Sequence, residues 1–197
     1  MAAPFASQGD PMSHIILDSK INFQGKLIRI RTDSVASPSG RTHQLEVVEH
    51  GGAVAIVPID SQDNVWLVRQ YRHPTGEYLL EIPAGTLNPD EDPADCAQRE
   101  SQEEIGMAPG ELIPLGAGFM APGYSTEFIH FFLAHQLTPA ALEPDEDEEL
   151  AIEIVALEDL WAEVGRGTIR DIKTIAGVAL ARQWLSLEKD TSSPTLR

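Results

Sequence analysis

The alternation of apolar and polar positions is strand-like over most of the first half of the chain and helical in two later stretches. Alternating or β-branched patterns at residues 14–19, 26–34 and 43–49 predict three strands, with Pro38-Ser39-Gly40 as a hairpin turn between the last two. Ala53–Pro58 is a short uninterrupted apolar run, suited to a buried strand. A polar turn over residues 60–64 leads to strands at 65–71 and 78–82, the latter ending at Pro83. The period then changes. Asp92 followed by Pro93 reads as an N-cap with proline at the first helical position, residues 93–105 are good helix formers, and Gly106 is a C-terminal stop. Strands resume at 113–119, 126–133 and 150–157. A short helix at 159–164 follows, closed by Gly165 or Gly167. The last helix spans about 171–187, with Ile172, Ile175, Ala176, Ala179 and Leu180 at helical spacing. Residues 1–12 and 189–197 are polar and are expected to be loose. Strands, one helix, strands and terminal helices make an α/β fold: an α/β/α sandwich on a mixed central sheet, preceded by a small antiparallel β region over residues 13–50, with the main domain at 51–188.

Composition narrows the partners. The chain has 197 residues, 14 Lys+Arg against 31 Asp+Glu, and a formal charge of −17. Nucleic acid is excluded as a partner because duplex binding needs a basic face, and an anionic membrane surface is excluded on the same ground. A small anionic substrate is not, since a bound cation reverses the local sign. Cys96 is the single cysteine, so no intramolecular disulfide forms, as suits a reducing compartment. No apolar run reaches the length of a membrane span, and the first residues lack the charged and apolar regions of a signal peptide, so a cytoplasmic protein is expected.

The chemistry lies between Gly85 and Met107. Glu100, Glu103 and Glu104 stand at i, i+3 and i+4 and share one face of the predicted helix. Three carboxylates so placed repel each other. Such a face is either solvated or a set of hard oxygen ligands for a divalent cation, Mg²⁺ above all. The surroundings select the second reading: Gly85, five residues, Glu91, seven residues, Arg99-Glu100, then Glu103-Glu104 and Gly106. This resembles the Nudix box at all seven fixed positions, with Met107 as its final aliphatic residue. One position departs: the aliphatic residue after Arg-Glu is Ser101 here. That implies lost packing worth ~1–3 kcal/mol if the position is buried, and a less rigid helix.

The resemblance implies a Nudix-type sandwich and a Mg²⁺-dependent pyrophosphate hydrolase, with Mn²⁺ as a substitute. It implies that Glu100, Glu103, Glu104 and the backbone carbonyl of Ala84 bind metal. It further implies that Arg99 orients the carboxylates and that Gly85 and Glu91 are structural. Outside the box, residues 80–85, Gln70-Tyr71-Arg72, residues 46–50, and Pro122 sixteen residues after Gly106 resemble the ADP-ribose pyrophosphatase subgroup. That likeness implies ADP-ribose as substrate, with AMP and ribose 5-phosphate as products. It places Arg72 on a substrate phosphate and Pro122 in the substrate loop, while Arg69 faces away by strand alternation. It also implies a glutamate before a late strand acting on the attacking water, here Glu148 or, second, Glu149, with Glu103 next. A homodimer joined through the N-terminal β region is implied as well. Where the subgroup often carries a nucleoside-binding arginine, this chain has Leu45, which leaves GDP-mannose, ADP-glucose or a similar nucleoside diphosphate sugar as alternative substrates. A ligand sensor that has lost activity is the reading from another class; the complete carboxylate set argues against it.

Overall fold

A computed structural model describes residues 14–143 and 149–192, with no side-chain description from 190 onward. The expectations for residues 1–12, for Glu148 and for residues 193–197 lie outside the described residues. The elements in chain order are β1 (Ile15–Gln24), β2 (Ile28–Ala36), β3 (Thr42–His50), β4 (Ala53–Pro58), β5 (Asn64–Arg72), β6 (Glu77–Glu81), β7 (Ala84–Thr86), α1 (Pro93–Glu104), β8 (Met107–Ala108), β9 (Glu111–Phe119), β10 (Phe128–His135), β11 (Thr138–Pro139), β12 (Leu150–Ala156), α2 (Leu157–Arg166) and α3 (Ile172–Ser192). They fall into two compact units.

The first unit comprises the described residues up to Gly52 together with Asn88–Asp90 and Phe119–Phe128. Its three strands form an antiparallel sheet in the order β1-β2-β3. The turn between β2 and β3 is closed by Ser37 N–H to the Arg41 carbonyl at 2.8 Å and Gly40 N–H to the Ser37 carbonyl at 2.8 Å. Gly40 takes the positive φ of 79° that favours glycine. Asp33 is buried and accepts from Ser19 Oγ at 2.6 Å and from Arg31 Nε at 2.9 Å. Burial alone would raise its carboxyl, but these hydrogen bonds and the Arg31 charge hold it below the usual range. The segment containing Pro122 returns to β3: Val48 N–H donates to the Tyr124 carbonyl at 2.7 Å and Thr126 N–H to the Val48 carbonyl at 2.9 Å. Every residue of β1 is exposed.

The second unit is built on β4, all six residues of which are buried. In one sheet, ordered β7-β4-β10-β9, β4 runs parallel to β10 and antiparallel to β7. A second sheet, β12-β5-β6, is antiparallel. Because side chains alternate along a strand, β4 has two faces. Val54 and Ile56 pack with Phe132, Ala134, Cys96 and Ala97, which places α1 on one face. On the other, a Cβ at Gly177 of α3 would lie 2.6 Å from Ile82 Cδ1 and 3.2 Å from Val57 Cγ2, so only glycine lets α3 come this close. Helices on both faces of a mixed sheet make the expected α/β/α sandwich. Among the described residues, no helix is long and apolar enough to cross a membrane.

The caps follow the sequence reading. Asp92 Oδ1 accepts from Ala94 N–H at 2.8 Å with Pro93 behind it, and Gly106 takes φ 68° just past the end of α1. Gly167, rather than Gly165, closes α2, at φ 74°. Three short strands, β7, β8 and β11, were not expected, because two or three residues carry no readable period. The first strand continues to Gln24 and the last helix to Ser192. Glu188 and Lys189 are good helix formers, and their polarity did not end the helix.

Candidate active site

The buried stripe of α1 runs Cys96, Ala97, Glu100, Ser101, Glu104. The first two positions serve the core, and the same stripe then carries two carboxylates inward. Glu100 and Glu104 are 7% and 5% exposed, depths at which a carboxylate needs compensating partners. Arg99 supplies them for Glu100. Its Nη1 donates to Glu100 Oε1 at 2.6 Å and to Glu103 Oε2 at 2.8 Å, so one nitrogen ties the two carboxylates together. Its Nε donates to Glu91 Oε1 at 2.9 Å. The hydrogen bond to Glu91, followed by the charge of Glu100, raises the guanidinium pKa still further, and Arg99 remains a cation at every working pH. Glu91, expected to be mostly structural, holds Arg99 beside the carboxylates.

The other wall is β7. Ala84 N–H donates to Glu104 Oε2 at 3.1 Å. Gly85 pairs with Val54 across the sheet, and a Cβ there would stand 1.9 Å from both Cδ and Oε1 of Glu100. The glycine is required by this close approach and not by an unusual φ, since Gly85 is not among the positive-φ residues. Ser101 is fully buried, and its hydroxyl donates to the Met107 carbonyl at 2.8 Å. The packing expected to be lost at this position is replaced by a tie between α1 and β8.

Cys96 Sγ lies 3.2 Å from Arg99 Nη2, yet burial pushes the thiol up to about 12, so it stays protonated and is no nucleophile near neutrality.

Arg72 lies on β5. Its Nε and Nη2 donate to Glu81 Oε1 and Oε2 at 2.8 and 2.7 Å, a two-pronged pair with a carboxylate only 1% exposed. Lys173 of α3 also donates to Glu81. Burial would raise the Glu81 carboxyl, but the Arg72 hydrogen bonds and the Lys173 charge outweigh it and hold the group below the ordinary range. Glu104 and Asp171 are close enough to add to the raised pKa of Arg72, after the dominant bond to Glu81. Arg69 faces away, as alternation predicts, and pairs with Glu153.

Pro122 is exposed and belongs to the first unit, whereas Ala84, Arg72, Arg99 and the helix glutamates belong to the second. Glu149 is exposed immediately before β12, and Leu45 is exposed on β3. Sequence reasoning gave no role to Glu81 or Lys173. The available signal was an acid interrupting the apolar run Leu79-Leu80-Glu81-Ile82.

Among the described residues, no group of three His, Cys, Asp or Glu side chains is already closed around one point. Glu100 and Glu103 are drawn to Arg99, and Glu104 to the Ala84 amide. The donor set is nevertheless all hard oxygen, and the space a Cβ would fill at Gly85 is kept for the Glu100 carboxylate. These residues fit a hard divalent cation.

The sandwich carries a glutamate-rich helix against a glycine-bearing strand, with Glu100 and Glu103 tied by one arginine, the arrangement that the Nudix box implies. Comparison with known proteins agrees. The NUDIX domain matches residues 49–176. An ADP-ribose pyrophosphatase of Bacillus subtilis (strain 168) is 36% identical over 169 residues, covering 85% of this chain and 89% of that protein. A GDP-mannose pyrophosphatase of Citrobacter koseri is 34% identical over 143 residues, covering 68% and 74%. The crystal structure of an ADP compounds hydrolase superposes with a TM-score of 0.80 at 27% identity, covering 89% of this chain and 95% of the other. The chain belongs to the Nudix family and is a Nudix hydrolase.

Proposed function

We propose that this enzyme hydrolyses the pyrophosphate of ADP-ribose to AMP and ribose 5-phosphate with Mg²⁺ as cofactor, Mn²⁺ substituting. The observation that carries the reading is the all-oxygen set on α1, in which Arg99 ties Glu100 to Glu103 and Glu104 accepts from the Ala84 amide beside Gly85. Glu100, Glu103, Glu104 and the Ala84 carbonyl hold the cation. When bound, it offsets phosphate charge and makes water more acidic. Arg99 keeps the carboxylates in place. Arg72 binds a substrate phosphate, for which a planar guanidinium is suited. Pro122 shapes the loop that receives the substrate. Glu148, or failing it Glu149, accepts a proton from the attacking water. The water oxygen joins one phosphorus as that atom's bond to the bridging oxygen breaks, so each product keeps one phosphate. The enzyme acts as a cytoplasmic homodimer, its interface drawn from residues 13–50. Support for the pairing comes from β1, which leaves Ile15, Leu17, Ile21 and Phe23 each more than half exposed.

A second reading changes only the substrate, to GDP-mannose, ADP-glucose or another nucleoside diphosphate sugar. Leu45 favours it, standing where an arginine would assist the nucleoside. The test is a panel of nucleotide sugars assayed with and without Mg²⁺, repeated with Glu103→Gln and Glu104→Gln. ADP-ribose should give the highest kcat/KM, and both variants should nearly abolish turnover with the fold retained. Near-normal Mg²⁺-dependent activity in both variants would overturn the metal assignment, and a higher kcat/KM for another sugar would move the substrate.

A further inference from the structure

The start of α3 lies next to Arg72 without contributing to the helix that carries the glutamates. Asp171 caps α3: its Oδ2 accepts from Thr174 N–H at 2.9 Å and from Thr174 Oγ1 at 2.6 Å. The Thr174 oxygen in turn accepts from Ile82 N–H at 2.9 Å, a fully buried bond that fixes the backbone two residues before Ala84. Between these, Lys173 donates to Asp171 Oδ2 at 3.0 Å and to Glu81. Lys173 is 12% exposed at its side chain and Glu81 1%. A lysine this deep has given up most of its hydration, and what it receives in return is the carboxylate that grips Arg72.

The grip has a direction. Glu81 occupies Nε and Nη2 of Arg72, and among the described residues Nη1 makes no hydrogen bond. The guanidinium is held as a rigid fork with one edge spent and one nitrogen offered. A guanidinium fixed in advance loses less rotamer freedom when it meets an anion than a free one does. Without Lys173, Glu81 would keep Arg72 as a cationic partner and lose the side-chain bond it receives from α3.

We propose that Lys173 is a positioning residue for Arg72, acting through Glu81, so that α3 sets where the arginine meets substrate phosphate. The proposal rests on Arg72 binding that phosphate, and the experiment separates the two. Steady-state kinetics with ADP-ribose and Mg²⁺ are measured for the wild type, Lys173→Met, Arg72→Ala, the double variant and Lys173→Arg. Arg72→Ala should lower kcat/KM by ~10–100-fold, the range for a hydrogen bond to a charged group. Lys173→Met should lower it about 10-fold, chiefly through KM, yet by less than about 2-fold once Arg72 is already alanine, the non-additivity of residues in one network. Lys173→Arg should recover most of the loss. A merely structural lysine would cost the same in both backgrounds. Additive losses, or a silent Lys173→Met beside a damaging Arg72→Ala, would overturn the positioning role alone. A silent Arg72→Ala would overturn the phosphate reading and this inference with it. Should Lys173→Met not fold by circular dichroism, Lys173→Gln enters the same cycle with the same expectation.

Discussion

Replacing Gly85 by alanine adds one methyl group, and the structure states what it meets. The new Cβ would lie 1.9 Å from Cδ and Oε1 of Glu100 and 2.4 Å from Oε2. Reaching ordinary contact at 3.4 Å requires a displacement of about 1.5 Å. Glu100 has little room to yield, because it is 7% exposed and its Oε1 is held by Arg99. Two opposing effects can be weighed. Gly→Ala restricts the unfolded chain and by itself stabilises by ~0.4–1 kcal/mol. Overpacking a filled site costs ~1–3 kcal/mol, so the net is a destabilisation of up to ~2.6 kcal/mol, with Tm falling by up to ~10 °C for a chain of this size. The activity loss should be larger. A 1 Å misplacement of a reacting geometry can cost ~10²-fold, and here the displaced atom is a proposed metal ligand.

Gly165 provides the control. It lies in α2, where an added Cβ meets nothing within 4 Å. Gly165→Ala should stabilise by ~0.5–1 kcal/mol and leave turnover unchanged. Thermal melts and ADP-ribose hydrolysis at saturating Mg²⁺ measure both variants. A Gly85→Ala enzyme with wild-type kcat and Tm would refute the claim that the glycine exists for Glu100.

Ser101→Ala leaves the Met107 carbonyl without its buried donor and should cost ~1–3 kcal/mol in urea unfolding, and an unchanged midpoint would show the bond to be idle. Glu81 sits below its ordinary value of 4.5, so its contribution to stability is present above that pH and is lost as pH falls through the folded value. Glu81→Gln should therefore flatten the acid side of the stability profile, and a profile parallel to wild type in denaturant melts between about pH 3 and 7 would contradict this. Sedimentation at micromolar concentration should show a dimer, and deletion of residues 13–50 or a charge at Ile21 or Phe23 should dissociate it; a fully active wild-type monomer would remove the interface. Glu148→Gln should lose kcat by ~10²–10⁴-fold with KM little changed, Glu149→Gln being the second candidate. A double variant with wild-type kcat would move the base to Glu103.

Long-period features were legible. The apolar run of β4, the Asp92-Pro93 start of α1 and the glycine stop at Gly106 each carry a local physical cause, and each appears where the chain places it. The short strands β7, β8 and β11 were not legible, because they are defined by partners elsewhere in the sheet and not by their own residues. The return of Phe119–Phe128 to β3 was equally hidden. It rests on backbone bonds such as Thr126 N–H to the Val48 carbonyl and on the Thr126 hydroxyl at His50, none of which leaves a period in the sequence.

The site divides along the same line. Glu100, Glu103 and Glu104 were readable because a helix turns spacing into adjacency within four residues. Lys173 and Glu81 are 92 residues apart, and no periodicity relates them. Ser101 shows why even a correct motif needs the structure beside it. By position the serine is a loss of aliphatic packing. By geometry its hydroxyl finds a carbonyl only because α1 ends at Glu104 and the chain turns through Gly106 to bring Met107 back. A polar residue at a buried position costs free energy unless a partner is supplied, and the turn supplies it. The substitution and the turn thus compensate each other, and a leucine placed at 101 to restore the motif would have to displace a hydrogen bond from a site with no exposed surface.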